Sequence, residues 1–404
     1  MAKLIEITGK ALSGEWGTDD ETGNGIPVLR TTNFTNEGIV DYSNVVTRNI
    51  VKKGIEEKYL RNGDIIIEKS GGSDKQPVGR VIYFDGPERT YLFNNFTGLL
   101  RVKNQEKWHP RYVFYSLFSN YRSGGTRTFQ NKTTGLHNLK TDDYVSGFNV
   151  TEVDIVTQKA ICKQLDLVNG IIRMRQQQLQ KLDDLVKARF VELFGDPASN
   201  SMGLPTEPMT TVCAIIDGDR SNNYPKQDEF SDTGYCLFLN AKNVTATGFS
   251  FENLMFITKE KDNALHNGKL ERGDVVLTTR GTLGNLAFYD DSVPFENVRI
   301  NSGMVILRMK KSVMTEVFFM EQFKLQLQSI KGKVASGSAQ PQLPISTMNK
   351  IRILLAPMAL QEQFAAFVKQ TDKSKAAIQA SLDEYMLILD SLMQIYFGQE
   401  YKND

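Results

Sequence analysis

The sequence predicts an α+β protein: two globular α/β domains separated by two long antiparallel coiled-coil helices, the whole arranged as a pseudo-twofold internal repeat. Three observations predict it. Short phrases recur at a nearly constant offset along the 404 residues. In each copy, β-like runs precede a long helical run. Each helical run carries an apolar seam of heptad spacing.

A duplication sets the architecture, so it is read first. RNGDIII (61 to 67) is echoed by ERGDVVL (271 to 277), 210 positions on. LRTTNFTNEG (29 to 38) meets LNAKNVTATG (239 to 248) at the same offset, placing Asn33 opposite Asn243 and Gly38 opposite Gly248. VGRVIYFD (78 to 85) faces LGNLAFYD (283 to 290), LLRV (99 to 102) faces ILRM (306 to 309), and LFGD (193 to 196) faces YFGQ (396 to 399). The offset drifts only between 203 and 210. The expected parts are a domain at 1 to 155, a helix at 156 to 196, a second domain at 197 to 356 and a second helix at 357 to 404.

Each domain begins with β-like material. DIIIE, RVIYF, DVVLTT and NLAFYD are rich in Ile, Val, Tyr and Phe, and Gly, Asn and Asp punctuate them as turns. The first helix follows. From 158 to 194 there is no proline, and Leu165, Val168, Ile172, Leu179, Leu182 and Val186 lie on alternating steps of three and four, with Arg175 and Arg189 as interruptions. Gly195 and Pro197 stop it. The second helix repeats the device with Ile378, Leu382, Tyr385, Leu389 and Leu392, with Thr371 and Lys375 as polar breaks and Gly398 closing. Two seams of matching length bury each other, and equivalence of the halves makes the pair antiparallel.

Apolar content of 40% and charged content of 24% fit a globular chain. MAKLIEITGK lacks a signal-peptide core, and no run nears the roughly 18 apolar residues of a membrane span, so a cytoplasmic protein without membrane association is expected. Cys162, Cys213 and Cys236 form no CxxC pair and read as reduced packing residues. His109, His137 and His266 are isolated. No metal site is expected.

Net charge is only +1, yet residues 61 to 140 hold thirteen Lys and Arg against six Asp and Glu, and residues 299 to 352 hold nine against two. These stretches correspond in the two copies. Two equivalent cationic regions on a near-neutral chain point to two places for a polyanion, since phosphate contacts dominate nucleic-acid affinity. A helix of about 36 residues is roughly 54 Å long, on the order of 15 base pairs of duplex. Such a spacer suits a protein that grips one duplex twice.

Enzymatic signatures are missing. The chain has no GxxxxGK[ST] phosphate loop, no Asn-Pro-Pro-Tyr or Asp-Pro-Pro-Tyr for base amino-methylation, no FxGxG turn for a methyl donor, and no HExxH or GxSxG. Glu56 and Lys58 form an ExK triplet without a preceding strand aspartate. No catalytic residue and no cofactor are expected.

The loops carry the candidate DNA contacts. EKSGGSDKQPVGR (68 to 80) offers Lys69, Ser70, Lys75 and Arg80; TTRGTLGN (278 to 285), in the same place in copy two, offers Thr279, Arg280 and Thr282. Glycines let backbone N–H groups approach phosphate, hydroxyls position the chain, and Arg can read guanine with two bonds. Before each long helix lies a second loop. One offers Arg122, Arg127 and Lys132; the other offers Lys331, Lys333, Ser336, Ser338 and Gln340.

With these pieces in order, the chain resembles the specificity subunit of type I restriction-modification enzymes over essentially all 404 residues. The resemblance rests on IPVLRTTNF and YCLFLNAKNV, on RNGDIII, ERGDVVLTTRGTLGN and INSGMVILR, on TTGLHNLK and SGSAQPQLPIS, and on KARFVELFGD and LILDSLMQIYFGQE. It implies two target-recognition domains, each reading one half of an asymmetric split site in double-stranded DNA. It also implies assembly with modification (methyltransferase) subunits and restriction (motor-nuclease) subunits, the chain itself being noncatalytic. Two departures stand out: QKAICKQLD and EQFAAFVKQTD open the helices differently, and the first Gly-rich loop is five residues longer than the second. The rival readings are a coiled-coil interaction scaffold without DNA specificity and a self-contained modification or restriction enzyme.

Overall fold

The computed structural model describes residues 1–404 apart from 74–75, 134–135, 336–341 and 399–404, and apart from the side chains of 132, 133, 136 and 332–335. Four longer helices organise the chain: α1 (Pro110–Arg122), α2 (Ile155–Phe194), α3 (Glu316–Ala335) and α4 (Met358–Phe397). Packing divides the chain into a first unit, Met1–Gln176 with Ala380–Asp404, and a second, Gln177–Gln379. The repeat in the sequence breaks at the ends of the long helices, whereas packing breaks inside them. The cause is burial: Val186, Phe190 and Phe194 at the end of α2 belong to the core that contains Val275, Leu307 and Phe318 of the second unit.

In the first unit, a four-stranded antiparallel sheet runs in the order Leu12–Ser13, Thr97–Leu100, Ile65–Glu68, Val81–Tyr83. A second sheet runs Thr18–Asp19, Val46–Asn49, Ile26–Leu29, Leu92–Phe93, and its last pair is parallel. Leu29, Ile66, Ile82, Phe84, Phe93 and Leu99 fill the core between them, and α1 lies beside Val81–Tyr83. Ile65–Glu68 is buried at every position; the apolar run Ile65 to Ile67 signals this for its own three residues, whereas the burial of Glu68 carries no such signal.

The second unit builds the same frame from its own residues. Cys213–Asp217, Met304–Met309, Asp274–Thr278 and Leu286–Tyr289 form the four-stranded sheet; Phe256–Ile257, Cys236–Leu239 and Val298–Ile300 form the other, again with a parallel last pair.

The repeated phrase now has a physical reason. Asp64 accepts the Arg61 N–H at 2.8 Å and two bonds from the Arg101 guanidinium, both 2.7 Å. Asp274 accepts the Glu271 N–H at 2.7 Å and two bonds from Arg308, both 2.8 Å. Gly63 and Gly273 sit at φ +92° and +98°, where a side chain is strained, so the turn calls for glycine before the aspartate. Asn33 and Asn243 are equally matched: each takes an N–H three residues back at 2.9 Å and donates to two backbone carbonyls, of Asp41 and Asn44 or of Ser250 and Asn253.

The helix openings share an anchor despite their different sequences. Gln158 accepts the His109 N–H at 2.8 Å and donates to Lys107 and Val153 carbonyls; Gln361 accepts the Thr315 N–H at 2.9 Å and donates to Val313 and Ala356 carbonyls. Both side chains are wholly buried, so each needs all of these partners.

The seam lies where the heptads place it. Leu165, Val168, Ile172, Val186, Leu382 and Leu389 are buried, and Leu179, Leu182, Ile378, Tyr385 and Leu392 are half-buried. In the first unit the Tyr396 hydroxyl reaches Gln164 at 2.5 Å. In the second, Lys375 pairs with Asp183 at 2.6 Å and Phe364 meets Phe190 at 5.5 Å between ring centres, so numbering rises on one helix as it falls on the other. That is the antiparallel sense. Burial opposes the charge, but the Asp183 and Asp372 carboxylates together hold the Lys375 ammonium above the ordinary lysine value.

Candidate nucleic-acid interface

Each unit brings its two candidate loops together by one matching backbone bond. In the first, the Leu139 N–H donates to the Lys69 carbonyl at 2.8 Å, joining the loop after Ile65–Glu68 to the hairpin Gln130–Thr133/Leu136–Leu139. Ser70 bridges to Asn138 beside it. In the second, the Leu343 N–H donates to the Thr279 carbonyl at 3.1 Å, and Arg280 donates to Gln342 at 3.1 Å. Loops some 70 residues apart in sequence therefore form one edge. Gln342 is a residue the charge-based reading missed, although it stands within the QPQLPIS segment.

Lys69 crosses the sheet rather than pointing away from it. A side chain at Gly98 would meet its Cδ at 3.4 Å, and its ammonium donates to the Ser13 hydroxyl at 2.8 Å. Burial, helped by nearby Lys58, holds its pKa below the ordinary lysine value. A half-buried ammonium resting on a neutral hydroxyl is placed to gain from a phosphate. Lys331 in the second unit has a comparable course: its stem crosses Gly284, where a built Cβ would fall 2.3 Å from Cε.

Arg80 is placed differently. It donates to both Glu68 oxygens at 3.1 and 2.8 Å and to the Phe34 and Thr31 carbonyls at 3.1 Å each. Burial opposes its charge, but the Glu68 bonds prevail and raise its pKa. The second unit supplies the comparison: at the matching position Asn285 donates to the Val244 carbonyl, the counterpart of Phe34, at 2.9 Å. The common task is to hold the loop after the parallel strand. Arg80 is structural cement with its donors engaged.

The other candidates divide in the same way. Arg122 is engaged with Asp390 at 2.5 Å and lies over Phe118. Thr279 is buried, with its hydroxyl on the Gly303 carbonyl at 3.0 Å. Arg127, Arg280 and Thr282 are exposed. Lys75, Ser336, Ser338 and Gln340 lie outside the described residues, as do the side chains of Lys132 and Lys333. Part of the cationic surplus counted in the second copy is matched by carboxylates outside the counted stretch, since Arg299 pairs with Asp262 and Arg308 with Asp274.

Among the described residues, no three His, Cys, Asp or Glu side chains are grouped to hold a metal ion, and no helix is long and apolar enough to cross a membrane. The three cysteines are free and buried, and burial pushes each thiol up to about 12, far from a nucleophilic thiolate.

Comparison with curated proteins by sequence finds no match. Solved structures similar in fold include the following two. The S subunit of a type I restriction-modification system from M. genitalium gives a TM-score of 0.54 at 15% identity, covering 98% of this chain and 95% of that one. A chain from a structure concerned with complex assembly and conformational transition of the type I R-M system gives 0.53 at 15% identity, covering 98% and 96%. The profile of the type I restriction modification DNA specificity domain matches residues 2–183 and again 210–384, once for each copy of the repeat. With most of its length accounted for by two copies of that domain, this chain belongs to the type I restriction modification DNA specificity family.

Proposed function

We propose that the chain is the noncatalytic sequence-reading subunit of a cytoplasmic type I restriction-modification complex, its two units each recognising one half of a bipartite, asymmetric site in duplex DNA. The observation that carries this is the pairing of one frame with two different edges. The same backbone bond closes both edges, yet Lys69 and Ser70 stand where the other unit has Thr279 and Arg280. Different base-edge patterns require different side chains on a common scaffold. Lys69, Ser70, Lys75, Arg127 and Lys132 are proposed for one half-site, and Arg280, Thr282, Lys331, Lys333, Ser336, Ser338, Gln340 and Gln342 for the other. Arg80, Arg122 and Thr279 support these loops rather than touch DNA.

The long helices are proposed as spacer and as docking surface for modification subunits, around which restriction subunits assemble. Exposed apolar side chains support the docking. Val156, Leu167 and Met174 are 73, 66 and 55% exposed and fall on one face of α2 at spacings of eleven and seven; Leu387 and Ile395 on α4 are 69 and 72% exposed. Such a stripe on a helix asks for a protein partner. The assembled complex would methylate adenine and cleave DNA with ATP.

Mapping methylated adenines in the source genome with and without this gene tests the reading. A split motif that disappears with the gene is expected. An unchanged methylation map would overturn it. A salt titration of duplex binding separates it from an interaction scaffold, because only phosphate neutralisation gives a steep loss of affinity with salt.

A further inference from the structure

Resting on the reading of each unit as a DNA-recognition surface, we propose that Phe96 is a base-stacking wedge of the first unit, an element the second unit lacks. Phe96 is 52% exposed and is the most exposed aromatic ring among the described residues. Its turn is nevertheless fixed. The Thr97 N–H and hydroxyl both donate to the Asn94 carbonyl, at 3.1 and 2.8 Å, and the Asn94 N–H donates to Leu29 at 2.9 Å. The Phe96 carbonyl accepts the Lys69 N–H at 2.8 Å, which ties the turn that carries the ring to the backbone of the candidate edge.

The second unit repeats the frame and omits the groups. There the Thr279 N–H donates to the Gly303 carbonyl at 2.9 Å, so Gly303 stands for Phe96 and Thr279 for Lys69. An exposed ring held on a turn whose backbone is bonded to that of a lysine is suited to a nucleotide: the ring stacks on an opened base step and the lysine serves a phosphate of the same strand. Pyrimidine–purine steps open most readily, so the half-site read by the first unit contains a TA or CA/TG step at this position.

Selection from a pool of random-sequence duplexes with the full chain tests this, comparing wild type with Phe96→Ala and Phe96→Tyr. Wild type is expected to enrich a two-part motif with such a step in one half. Phe96→Ala should bind about 5- to 150-fold more weakly and lose preference at that step, with the other half of the motif unchanged; Phe96→Tyr should keep both. Because the ring is exposed, the alanine variant should melt like wild type. If Phe96→Ala enriches the same motif with unaltered affinity, the wedge is overturned and DNA recognition stands. If the wild-type chain enriches no sequence, both are overturned.

Discussion

Arg80 and Lys69, eleven positions apart in a loop of mixed charge, are proposed to have opposite tasks, and their substitutions separate the two. Arg80→Ala leaves the Glu68 carboxylate buried without its partner, and Glu68 is only 2% exposed. The expected result is a loss of about 3 kcal/mol in urea unfolding, the low end for breaking a buried pair because the Arg80 side chain is partly exposed. Lys69→Ala should leave unfolding nearly unchanged but reduce the slope of log affinity against log salt by about 1, the signature of one lost phosphate contact. The repeated aspartates give a second prediction. Asp274 is 1% exposed and its guanidinium partner Arg308 is 31% exposed, so Asp274→Asn should cost about 2–3 kcal/mol, somewhat below a fully buried pair. Asp64→Asn should do the same in the first unit. Equal stability of either variant and wild type in urea would show the turn to be held by glycine geometry alone.

At the level of elements, the loop around residue 219 carries a pH dependence. Asp219 is buried, yet it accepts N–H bonds from Ser221 at 2.7 Å, His266 at 2.6 Å and Asn267 at 3.2 Å. Burial alone would raise its pKa, but these bonds hold it at about 2. An unfolded aspartate titrates near 3.9, so the folded value is depressed, and the carboxylate's contribution is complete above about pH 4 and lost as pH falls toward 2. Asp219→Asn should therefore melt below wild type at pH 7, by about 2 kcal/mol, and the gap should close by pH 2; a constant gap would assign the loss to packing. Such anchors were illegible in the sequence, because an aspartate carries no sign of N–H donors more than 40 positions away. The helices were legible, because a four-three seam repeats its signal every heptad from Leu165 to Val186. Between these lie Gln158 and Gln361. Each is one polar residue at the opening of a long helix, and only their equal place in the repeat distinguishes them. The engagement of Arg80 is illegible for a related reason: counting charge registers a cation and is blind to the Glu68 carboxylate beneath it.

For the whole molecule, the proposed function has duplication followed by divergence of the edges let one fold read two sequences, with the spacer converting helix length into the distance between them. Both long helices contain 40 residues, and a heptad adds about 10 Å, or about three base pairs of duplex. Excising residues 172–178 and 380–386 together removes one heptad from each helix while preserving the four-three order of the seam residues on either side. The anchors Gln158 and Gln361 and the aromatic cluster of Phe190, Phe194 and Phe364 stay in place. If helix length sets the spacing, the shortened chain should direct methylation to the same two half-sites with an intervening gap about three base pairs shorter, read directly from a methylation map of cells carrying it. Seven residues are close to two helical turns, so the rotational phase of each seam is nearly conserved, and a three-pair change turns the duplex by about a third of its roughly ten-pair repeat. The second half-site must then be met at a different angle, so weaker methylation at the new spacing is expected as well as a new gap. A shortened chain that methylates sites with the original gap at the original rate would remove the helices from the role of ruler and leave them only the docking of partner subunits.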